Sequence, residues 1–600
     1  MTMKRTHTCG ELRKENEGQE VCLAGWLHNR RDLGGLVFLD LRDRYGLTQL
    51  AIDPSLNPAA AKALEGLHHE SVIEVKGTVA LRPDGMANSE MATGEVEVKV
   101  LELSVLSRSS VLPFEINNEE SASQVKEALR LEYRFLDLRR PSLQAMLKLK
   151  DDLFTHIRAY FKKHDFVEVQ TPILANSSPE GARDFLIPSR LYPGSYYALP
   201  QAPQQFKQLL MVSGVDRYFQ IAPCFRDEDT RNDRHYGEFY QVDMEMSFVE
   251  QEDVFVIMEP LMKEVTEKFS QKKMNNLLPD GSFLRLAWRE AMDKYGTDKP
   301  DLRYELEIID LTKKDYWSLF PPFAKTLPEG VVRGLRVPGG AALSRKQLDG
   351  YKEVINKHGV ETLAIVGMTE EGATSSLSKF LSQENLDDLA KEAELKVGDA
   401  LFLTAGVWKK ICAAMGNLRT TLAKDLNFIR QNEAAWCWIT DFPMYDASDT
   451  TASGIDFSHN PFSMPQGGHE AIDNKDPLDI LAYQYDLVLN GYEISSGGVR
   501  NHDSELLRKV FIKAGYEGEE VDRRFGALIK AFQYGAPPHA GNAPGVDRLL
   551  MVLTDNDSIR DMYAFPKDGQ GRDLLMNSPS PVDKSLLDEL NLEEKKVKDK

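Results

Sequence analysis

Two charged clusters, far apart in the chain, constrain its fold and chemistry more than any other feature. One is the run Phe225-Arg226-Asp227-Glu228, followed by His235 and Phe239, and the other is Gly545-Val546-Asp547-Arg548. The first cluster predicts two strands, Tyr218–Arg226 and Glu238–Phe248, joined by a charged loop over residues 227–237. Such a hairpin suits a nucleotide, because arginine binds phosphate, glutamate accepts from an amino group and phenylalanine packs on the base. By itself, Phe-Arg-x-Glu is more typical of an ordinary surface hairpin.

The composition is that of a globular protein without a membrane span or a disulfide scaffold. A chain of 600 residues exceeds one hydrophobic core, so we expect about two to four domains. No apolar run approaches the roughly 18 residues that span a bilayer, and residues 1–10 lack the apolar stretch of a secretory signal. The five cysteines form no Cys-x-x-Cys pair, which argues against zinc and fits a reducing cytoplasm. The net charge of −20 does not by itself indicate nucleic-acid binding, although a local basic face can still attract a nucleic acid.

Residues 20–105 alternate apolar and polar positions in five short runs separated by turn residues. The runs predict a small closed barrel with strands Val21–Leu27, Leu36–Arg42, Thr48–Ile52, Val72–Val79 and Val96–Leu103. Phe38 and Gln49 fall on consecutive strands beside Arg31. An aromatic ring next to arginines suits the unpaired bases of a single-stranded nucleic acid. The alternative is that Phe38 belongs to the barrel core.

The chain after the barrel divides into a connector, a long helix and an unusual central segment. A polar connector, residues 107–140, precedes a helix whose apolar side chains from Leu143 to Phe161 are spaced by three and four. The helix leads into a strand that ends at Thr171-Pro172. Residues 298–425 have their own helices, strands and Pro/Gly turns, and predict an inserted α+β domain without catalytic residues. The charged tail predicts a peripheral helix with a frayed end.

Asn490-Gly491 is the strongest short hairpin signal, because it lies between the strand-like runs Ala482–Leu489 and Tyr492–Ser495. In a two-residue turn Val488 opposes Glu493, so Asp486 lies diagonally on the same face as Glu493, about 7–8 Å away. Two carboxylates on one face can share Mg²⁺ and hold it against ATP phosphates. An isolated acidic pair is more often solvated surface, but small residues follow this one and would let a ligand approach the backbone.

Three further segments are individually weak and carry groups that suit a small polar substrate. They offer an exposed carboxylate, two amides with a lysine at a helix start, and a histidine in a Gly/Pro-rich loop. The segments are Pro179-Glu180-Gly181-Ala182-Arg183-Asp184, Gln201-Ala202-Pro203-Gln204-Gln205-Phe206-Lys207-Gln208 and His459-Asn460-Pro461-Phe462.

Together these features resemble the bacterial type of aspartyl-tRNA synthetase, a class II aminoacyl-tRNA synthetase, from about residue 4 to residue 580. The two charged clusters match motifs 2 and 3 of the class, and the long helix with the strand before Pro172 matches motif 1. The resemblance implies a multidomain α+β protein with an OB-fold barrel, a catalytic domain built on an antiparallel sheet and an inserted α+β domain. The implied boundaries are an anticodon-binding domain 1–107, a hinge 108–140, catalytic parts 141–297 and 426–582, the insertion 298–425 and a tail 583–600.

The resemblance also implies a role for each matching residue. Arg226 and Arg548 are the expected catalytic residues, and Arg226 bridges the α-carboxylate and the α-phosphate. The aspartate-binding residues would be Glu180, Gln204, Lys207, Arg226, Asp243, His459 and Arg500, with Lys207 and Arg500 on the side-chain carboxylate. The ATP-binding residues would be Arg226, Asp227, Glu228, His235, Phe239, Glu493, Gly545, Val546, Asp547 and Arg548. Asp486 and Glu493 would bind Mg²⁺, and Arg31, Phe38, Gln49, Asn88 and Glu97 would read the tRNA anticodon.

Two features of this chain bear on how far the family pattern applies. Many relatives have Gln-Pro-Glu-Phe where this chain has the longer His235-Tyr236-Gly237-Glu238-Phe239, which leaves the role of His235 less defined. Leu33 is typical of relatives strict for tRNA(Asp), whereas Gly85 is typical of relaxed ones that also charge tRNA(Asn). We favour relaxed specificity, because Gly85 has no side chain that could clash with the third anticodon base.

The sequence therefore predicts a cytoplasmic, homodimeric aspartate–tRNA ligase that uses ATP and Mg²⁺ and no zinc. One alternative is a sibling synthetase for asparagine or lysine, which the cation Lys207 opposes. The other is a non-catalytic tRNA-binding relative, which would be expected to lose members of the set Arg226, Glu228, Asp486, Glu493 and Arg548.

Overall fold

The computed structural model describes residues 5–177, 182–327, 329–449, 451 and 453–595. The chain divides into two compact units, the first made of residues 1–148, 564–568 and 573–578 and the second of residues 149–563, 569–572 and 579–600. In the described part, no helix is both long enough and apolar enough to cross a membrane. All five cysteines are buried, and within the described residues none of them forms a disulfide bond. The finer domain boundaries expected from the sequence stay predictions.

The first unit contains the predicted barrel, which is closed in the strand order β1-β2-β3-β5-β4. Closure leaves no strand edge exposed, and alternate side chains such as Leu23, Leu39 and Leu50 fill the interior. Helix α1 begins after Asn57, whose side chain accepts a hydrogen bond from the Ala60 N–H. The elements are β1 Glu20–Leu33, β2 Leu36–Asp43, β3 Gly46–Ile52, α1 Pro58–Ala63, β4 Val72–Leu81 and β5 Val96–Ser107.

The polar connector folds into three short helices before the long predicted helix. Its charged residues pair with one another, as in the buried ion pair between Arg134 and Asp137 at 2.6 Å. Helix α5 begins at Pro141, where the fixed φ of proline suits the first turn and its missing N–H costs nothing. The helices are α2 Glu119–Ser123, α3 Glu127–Glu132, α4 Arg134–Asp137 and α5 Pro141–Lys163.

An eight-stranded sheet forms the centre of the second unit, in the order β11-β17-β22-β23-β24-β10-β9-β6. The outer pairs β6/β9 and β11/β17 are parallel and the inner pairs are antiparallel. The strands are β6 Val167–Glu168, β9 Arg217–Phe225, β10 Glu238–Ser247, β11 Leu284–Ala287, β17 Trp436–Thr440, β22 Gln484–Leu489, β23 Tyr492–Val499 and β24 His539–Pro544.

One face of this sheet is apolar and the other carries the polar side chains. Phe255, on helix α7 Gln251–Phe269, stacks on Trp438 with ring centroids 4.1 Å apart and meets the Tyr485 ring edge-on. Because side chains alternate along a strand, Tyr485 on the helix side places Asp486 on the opposite face. The apolar helix therefore fixes which face remains for the polar groups.

A five-stranded antiparallel sheet with its own helices lies in the segment that was predicted to be an insertion. Its order is β12-β13-β16-β14-β15, and Leu401, Phe402 and Leu403 of its central strand are fully buried. The elements are β12 Ile308–Asp310, α9 Pro321–Ala324, β13 Val331–Val337, α10 Arg345–Asn356, β14 Ala364–Thr369, β15 Gly372–Ser375, α11 Gln383–Glu392, β16 Ala400–Gly406 and α12 Trp408–Asp425.

The remaining elements of the second unit are short strand pairs and helices around the large sheet. The strand pairs are β7 Leu186–Pro188 with β8 Tyr196–Ala198, β18 Phe442–Pro443 with β21 Leu481–Ala482, and β19 Tyr445–Ala447 with β20 Ile455–Phe457. The helices are α6 Gln204–Val212, α8 Trp288–Tyr295, α13 Gly468–Asn474, α14 Ser504–Lys513, α15 Gly518–Phe532, α16 Val546–Leu553 and α17 Lys584–Glu589. In the part of the chain that the structure describes, 3-10 turns lie at Lys14–Asn16, Asp315–Leu319, Gly340–Ala342, Ser376–Lys379, Pro477–Asp479 and Ile559–Met562.

Two local predictions differ from the structure in detail. The strand before Pro172 is only Val167–Glu168, because it pairs with just Tyr218 and Phe219 at the sheet edge. In the Asn490-Gly491 hairpin, Val488 opposes Glu493 as predicted, but a bulge follows, so that Asp486 pairs with Ser496. A bulge adds one residue to one strand and bends it, which changes where the nearby side chains point.

Candidate active site

A single polar cavity of about 580 Å³ on the second unit collects most of the residues singled out in the catalytic part of the sequence. It opens over the polar face of the large sheet and receives side chains from strands β10 and β23 and from the starts of helices α6 and α16. The predicted residues that line it are Gln204, Lys207, Arg226, His235, Phe239, Asp243, His459, Glu493, Arg500, Gly545, Asp547 and Arg548.

At one end of the cavity, two buried cations face two buried carboxylates. Lys207, in the first turn of α6, donates to Asp243 Oδ2 at 2.7 Å and lies 3.4 Å from Glu245 Oε2. Arg500, directly after β23, donates to both oxygens of Glu245. All four residues are at most 2% exposed. Burial raises the pKa of the Asp243 carboxyl despite the Lys207 ammonium. Burial acts in the same direction on Glu245, but Arg500 and Lys207 outweigh it and lower its pKa.

Gln204 and His539 support this end of the cavity from behind. Gln204 Nε2 donates to Gln208 Oε1 at 3.1 Å, and Gln208 Nε2 lies 3.1 Å from His539 Nε2. Burial lowers the pKa of His539 to about 4, so the ring is neutral at physiological pH. A neutral ring can accept a hydrogen bond from the Gln208 amide, which holds the helix start against the sheet.

At the other end, an arginine lies over one of two stacked rings. The Arg226 guanidinium lies 5.0 Å from the Phe239 ring centroid, and the His235 ring stacks on Phe239 at 4.6 Å and 18°. His235 Nε2 lies 3.3 Å from Glu228 Oε2, and its Nδ1 accepts from the Gly237 N–H. Burial, followed by Arg226 and other nearby arginines, lowers the pKa of His235 to about 3. The longer loop of this chain thus places a neutral imidazole on the aromatic ring.

Helix α16 brings the second arginine cluster to the same end of the cavity. Arg548 Nη1 donates to the Glu493 carbonyl at 2.6 Å, and its Nε donates to the Asp233 carbonyl at 3.1 Å. Gly545 N–H donates to the Ile494 carbonyl, which joins this helix start to strand β23. Asp547 forms an ion pair with Lys150, and the Val546 side chain is buried in the interior. Arg548 therefore reaches the cavity as a side chain, whereas Val546 belongs to the packing beneath it.

The two predicted metal ligands lie on the hairpin β22–β23. Asp486 is 1% exposed, and its Oδ1 accepts no hydrogen bond from the described residues. Burial and the neighbouring Glu493 raise the pKa of Asp486 well above its usual range. Burial opposes ionisation of Glu493 too, but the Lys299 ammonium and the Arg548 guanidinium lower its pKa. An unsatisfied buried carboxylate oxygen beside an ionised carboxylate is an oxygen donor set that fits Mg²⁺.

Of the predicted residues still to be placed, His459 lines the cavity, Asp227 and Glu228 do not, and Glu180 lies outside the described residues. His459 packs edge-on against Phe442 at 4.9 Å, and burial lowers its pKa. Asp227 is half-exposed, its N–H donates to the Arg183 carbonyl, and neither it nor Glu228 lines the cavity. Glu180 lies outside the described residues.

In the first unit, the predicted anticodon residues form a chain of hydrogen bonds across the barrel. Arg31 Nη2 donates to Asp40 Oδ1 at 2.9 Å and to Gln49 Oε1 at 3.2 Å, and Gln49 Nε2 donates to Glu97 Oε2 at 2.9 Å. Phe38 is half-buried and is not part of the barrel's hydrophobic core. Its ring thus remains partly available to a ligand, contrary to the core alternative.

The other residues predicted to act on tRNA, Leu33, Gly85 and Asn88, also lie in the barrel region. Leu33 is 62% exposed, and Gly85 has φ +77° with open space where a Cβ would lie. Asn88 Oδ1 accepts from the Glu90 N–H at 3.0 Å and so stabilises its own turn. The exposure of Leu33 and the openness at Gly85 leave both positions accessible to a bound nucleic acid.

The sequence patterns did not point to two residues of the site, the buried Glu245 and the cavity-lining Lys299. Glu245 follows Asp243 by two positions, so the alternation of strand β10 was a signal that both carboxylates share a face. Lys299 lines the cavity and lies 3.2 Å from Glu493 Oε2, although it belongs to the segment expected to lack site residues. No local pattern points to Lys299, because its partner is distant in sequence.

Comparison with known proteins identifies relatives along nearly the whole chain. Residues 126–569 match the family model of class II tRNA synthetases (D, K and N), and residues 21–106 match the OB-fold nucleic acid binding domain. The aspartate–tRNA(Asp/Asn) ligase of Chlorobium chlorochromatii is 50% identical over 589 residues, 98% of this chain and 96% of that protein. The aspartate–tRNA ligase of Streptomyces coelicolor is 50% identical over 597 residues, 99% of each chain.

Solved structures of lower identity share the fold. Asparaginyl-tRNA synthetase from Pyrococcus horikoshii complexed with asparaginyl-adenylate has a TM-score of 0.59 at 20% identity, over 94% of this chain and 98% of that chain. Aspartyl tRNA synthetase from Entamoeba histolytica has a TM-score of 0.56 at 21% identity, over 94% and 92% of the two chains. At these identities the likeness concerns the fold and leaves the substrate open.

Proposed function

This chain belongs to the class II tRNA synthetases of the D, K and N family, and from that premise we propose that it is an aspartate–tRNA ligase. In the first step the enzyme joins L-aspartate and ATP to give aspartyl-adenylate and pyrophosphate. In the second step a ribose hydroxyl at the end of the tRNA takes the aspartyl group from the adenylate, and AMP is released. The matching names of the 50% identical relatives support this assignment.

The observation that carries the choice of aspartate is the buried group of Lys207, Asp243, Glu245 and Arg500. The free amino acid brings an ammonium and a side-chain carboxylate, and the cavity offers carboxylates and cations within one hydrogen-bonded cluster. Asparagine would present a neutral amide to the two cations, and the hydrogen bonds that a cation makes to an amide are weaker than those it makes to a carboxylate. A lysine side chain would be repelled by the same pair. Both sibling activities are therefore disfavoured.

The proposed chemistry needs alignment and charge neutralisation and uses no protein nucleophile. Arg226 lines the cavity beside Phe239, and we assign its guanidinium to both the aspartate α-carboxylate and the α-phosphate. Arg548 adds positive charge beside the phosphates, and Phe239, on which the His235 ring is stacked, is the ring proposed to pack on the adenine. The attacking carboxylate oxygen and the phosphorus are then held together while pyrophosphate leaves.

Asp486 and Glu493 are the residues that would hold Mg²⁺. When bound, the ion would neutralise phosphate charge and orient the triphosphate. The unsatisfied Asp486 oxygen and the ionised Glu493 support this assignment.

We further propose a homodimer formed through the region of motif 1 and the hairpin that follows it. Large apolar side chains are exposed there, including Val167, Ile173, Leu174, Leu186 and Tyr196, each at least 47% exposed. A cluster of exposed apolar residues on one stretch of a folded protein is typical of an interface. Analytical ultracentrifugation tests this directly. A monomer at micromolar concentration would exclude the proposal.

The barrel is the proposed anticodon reader and tRNA(Asp) the proposed acceptor. The half-buried Phe38 ring beside Arg31 supports stacking of an unpaired base. Charging of tRNA(Asn) as well is a finer proposal, which the relatives leave open, since one is named for Asp/Asn and another for Asp alone.

The experiment that tests the function is ATP–pyrophosphate exchange with each of the twenty amino acids. We expect exchange with aspartate and not with asparagine or lysine. Exchange driven by a different amino acid would reject the assignment, and so would its complete absence in a folded, nucleotide-binding protein.

A further inference from the structure

Lys299 lines the cavity beside Glu493, at the point where the chain enters the segment that carries the five-stranded sheet. Its ammonium lies 3.2 Å from Glu493 Oε2 and 3.2 Å from Asp298 Oδ2. Its side chain is 33% exposed and lines the cavity. The Lys299 ammonium therefore forms an ion pair with Glu493, the carboxylate that was assigned to the divalent cation.

The backbone around Lys299 is held rigidly, so the contact is built into the fold. The residue precedes Pro300, which restricts Lys299 to an extended conformation, and its N–H donates to Thr297 Oγ1. Gly491, in the turn of the β22–β23 hairpin, packs directly against Asp301, since an added Cβ would lie 3.2 Å from the Asp301 Cβ. The segment with Lys299 and the hairpin with Glu493 are thus fixed against each other.

The insertion itself holds this segment in place. Arg419, on helix α12, is 1% exposed and donates to the carbonyls of Asp301 and Leu306 at 2.8 and 2.6 Å. It also donates to the Tyr304 hydroxyl at 3.1 Å. A buried arginine that satisfies main-chain acceptors fixes the chain on both sides of them. The inserted segment therefore anchors the backbone that follows Lys299.

We propose that the Lys299 ammonium is the resident cation of the predicted metal site, that is, the positive charge that pairs with Glu493 before nucleotide binds. Lys299 must leave Glu493 before a divalent cation can bind there. The inference rests on the proposed function. Because like charges repel at short range, the ammonium disfavours a free metal ion at Glu493. ATP brings its own metal ion and a highly charged triphosphate, which can draw the ammonium away. Asp298 keeps Lys299 paired after release, since it contacts the same nitrogen. The consequence is that metal enters this site together with ATP and not before it.

The test is a titration of the nucleotide-free, full-length enzyme with Mn²⁺, followed by electron paramagnetic resonance of the free ion. Mn²⁺ is a spectroscopic substitute for Mg²⁺ at oxygen sites. We expect Lys299→Met to bind Mn²⁺ at least about tenfold more tightly than the wild type, because the competing charge is gone. Lys299→Arg should bind as weakly as the wild type.

Lys294→Met is the matched control, because it removes the same charge from a lysine that pairs with Glu290 on the surface of helix α8. It should leave Mn²⁺ binding unchanged. The double variant Lys299→Met/Glu493→Gln should lose the gain in affinity. Equal Mn²⁺ affinity in Lys299→Met and the wild type would overturn the inference, and so would a gain that survives in the double variant.

Two further measurements keep the outcome interpretable. If Lys299→Met does not fold, as judged by circular dichroism, Lys299→Gln carries the same expectation with a side chain that can still donate a hydrogen bond. Aspartate-dependent pyrophosphate exchange by the wild type separates the two proposals. If the wild type catalyses exchange and Lys299→Met binds Mn²⁺ no more tightly than the wild type, only the proposal for Lys299 is rejected. If Lys299→Met binds Mn²⁺ more tightly but the wild type shows no exchange, only the aspartate assignment is rejected.

Discussion

Glu245 accepts two hydrogen bonds from Arg500, at 2.9 Å from Nε and 3.2 Å from Nη2. The third guanidinium nitrogen, Nη1, is buried and has no hydrogen-bond partner among the described residues. Since a buried N–H without an acceptor is costly, this nitrogen is suited to a ligand oxygen. The pair therefore holds Arg500 in place and leaves Nη1 available to the proposed carboxylate substrate.

Removal of the other cation should impair use of aspartate more than binding of ATP. Loss of one partner of a buried charged contact costs about 2–5 kcal/mol, so Lys207→Ala should lower kcat/KM for aspartate by roughly 30-fold or more. Pyrophosphate exchange at varied aspartate measures this effect. ATP affinity, measured by calorimetry, should change little and reports that the cavity is still folded. Lys391→Ala, at an exposed position of helix α11, is the control. Unaltered aspartate kinetics in Lys207→Ala would rule out this role.

Neutralisation of Glu493 should slow adenylate formation. Glu493→Gln removes the charge of one proposed Mg²⁺ ligand, and we expect extra Mg²⁺ to restore part of the rate. Single-turnover transfer of preformed aspartyl-adenylate to tRNA should be much less affected, since pyrophosphate has already left. Rapid quench experiments on the two steps measure both rates. Equal slowing of both steps would indicate a folding defect or a different role for Glu493.

The Phe38 ring should matter for tRNA and not for amino-acid activation. Stacking of one base on an aromatic ring contributes about 1–3 kcal/mol, so Phe38→Ala should reduce kcat/KM for tRNA charging by roughly 5-fold to 150-fold. Pyrophosphate exchange without tRNA should be unchanged. Leu101→Ala, at an exposed position on strand β5 of the same barrel, is the control. If Phe38→Ala charges tRNA normally, the ring does not read the anticodon.

We expect relaxed tRNA specificity, because Gly85 leaves open space beside the barrel. The measurement is the charging of purified tRNA(Asn) with labelled aspartate, compared with tRNA(Asp). Comparable rates would support the prediction. A rate hundreds of times lower for tRNA(Asn) would show that the exposed Leu33 was the better guide.

The neutral His235 should make the folded enzyme sensitive to acid. The folded state holds this residue neutral down to about pH 3, whereas the unfolded chain takes up a proton near the usual pKa of about 6.5. The unfolded state thus binds more protons between these values, so stability falls as the pH is lowered from 7 toward 4. His235→Gln should reduce the loss of apparent Tm between pH 7 and pH 5, measured at one scan rate. His68→Gln, at an exposed histidine, should not reduce it. An unchanged acid sensitivity in His235→Gln would contradict the assignment of a buried neutral ring.

Much of the architecture could be predicted from local sequence patterns. The alternation of residues 20–105 predicted the closed barrel, and Asn490-Gly491 predicted the pairing of Val488 with Glu493. The three- and four-residue spacing after Pro141 predicted helix α5. These patterns work because backbone conformation within a hairpin or helix depends mainly on neighbouring residues. The family resemblance supplied the roles, and the structure brings most of those catalytic-part residues to one cavity.

The tertiary structure decided which charged groups meet. Glu245 and Arg500 are 255 positions apart and become partners only because strand β24 lies between β10 and β23 in the sheet. Lys299 reaches Glu493 because Arg419 and Gly491 fix the entry to the insertion against the hairpin. Sequence periodicity specifies the face of an element, but the choice of a distant partner depends on strand order and on close packing between elements. The sequence by itself therefore determined the elements and their faces, and the tertiary structure determined the charge pairs of the site.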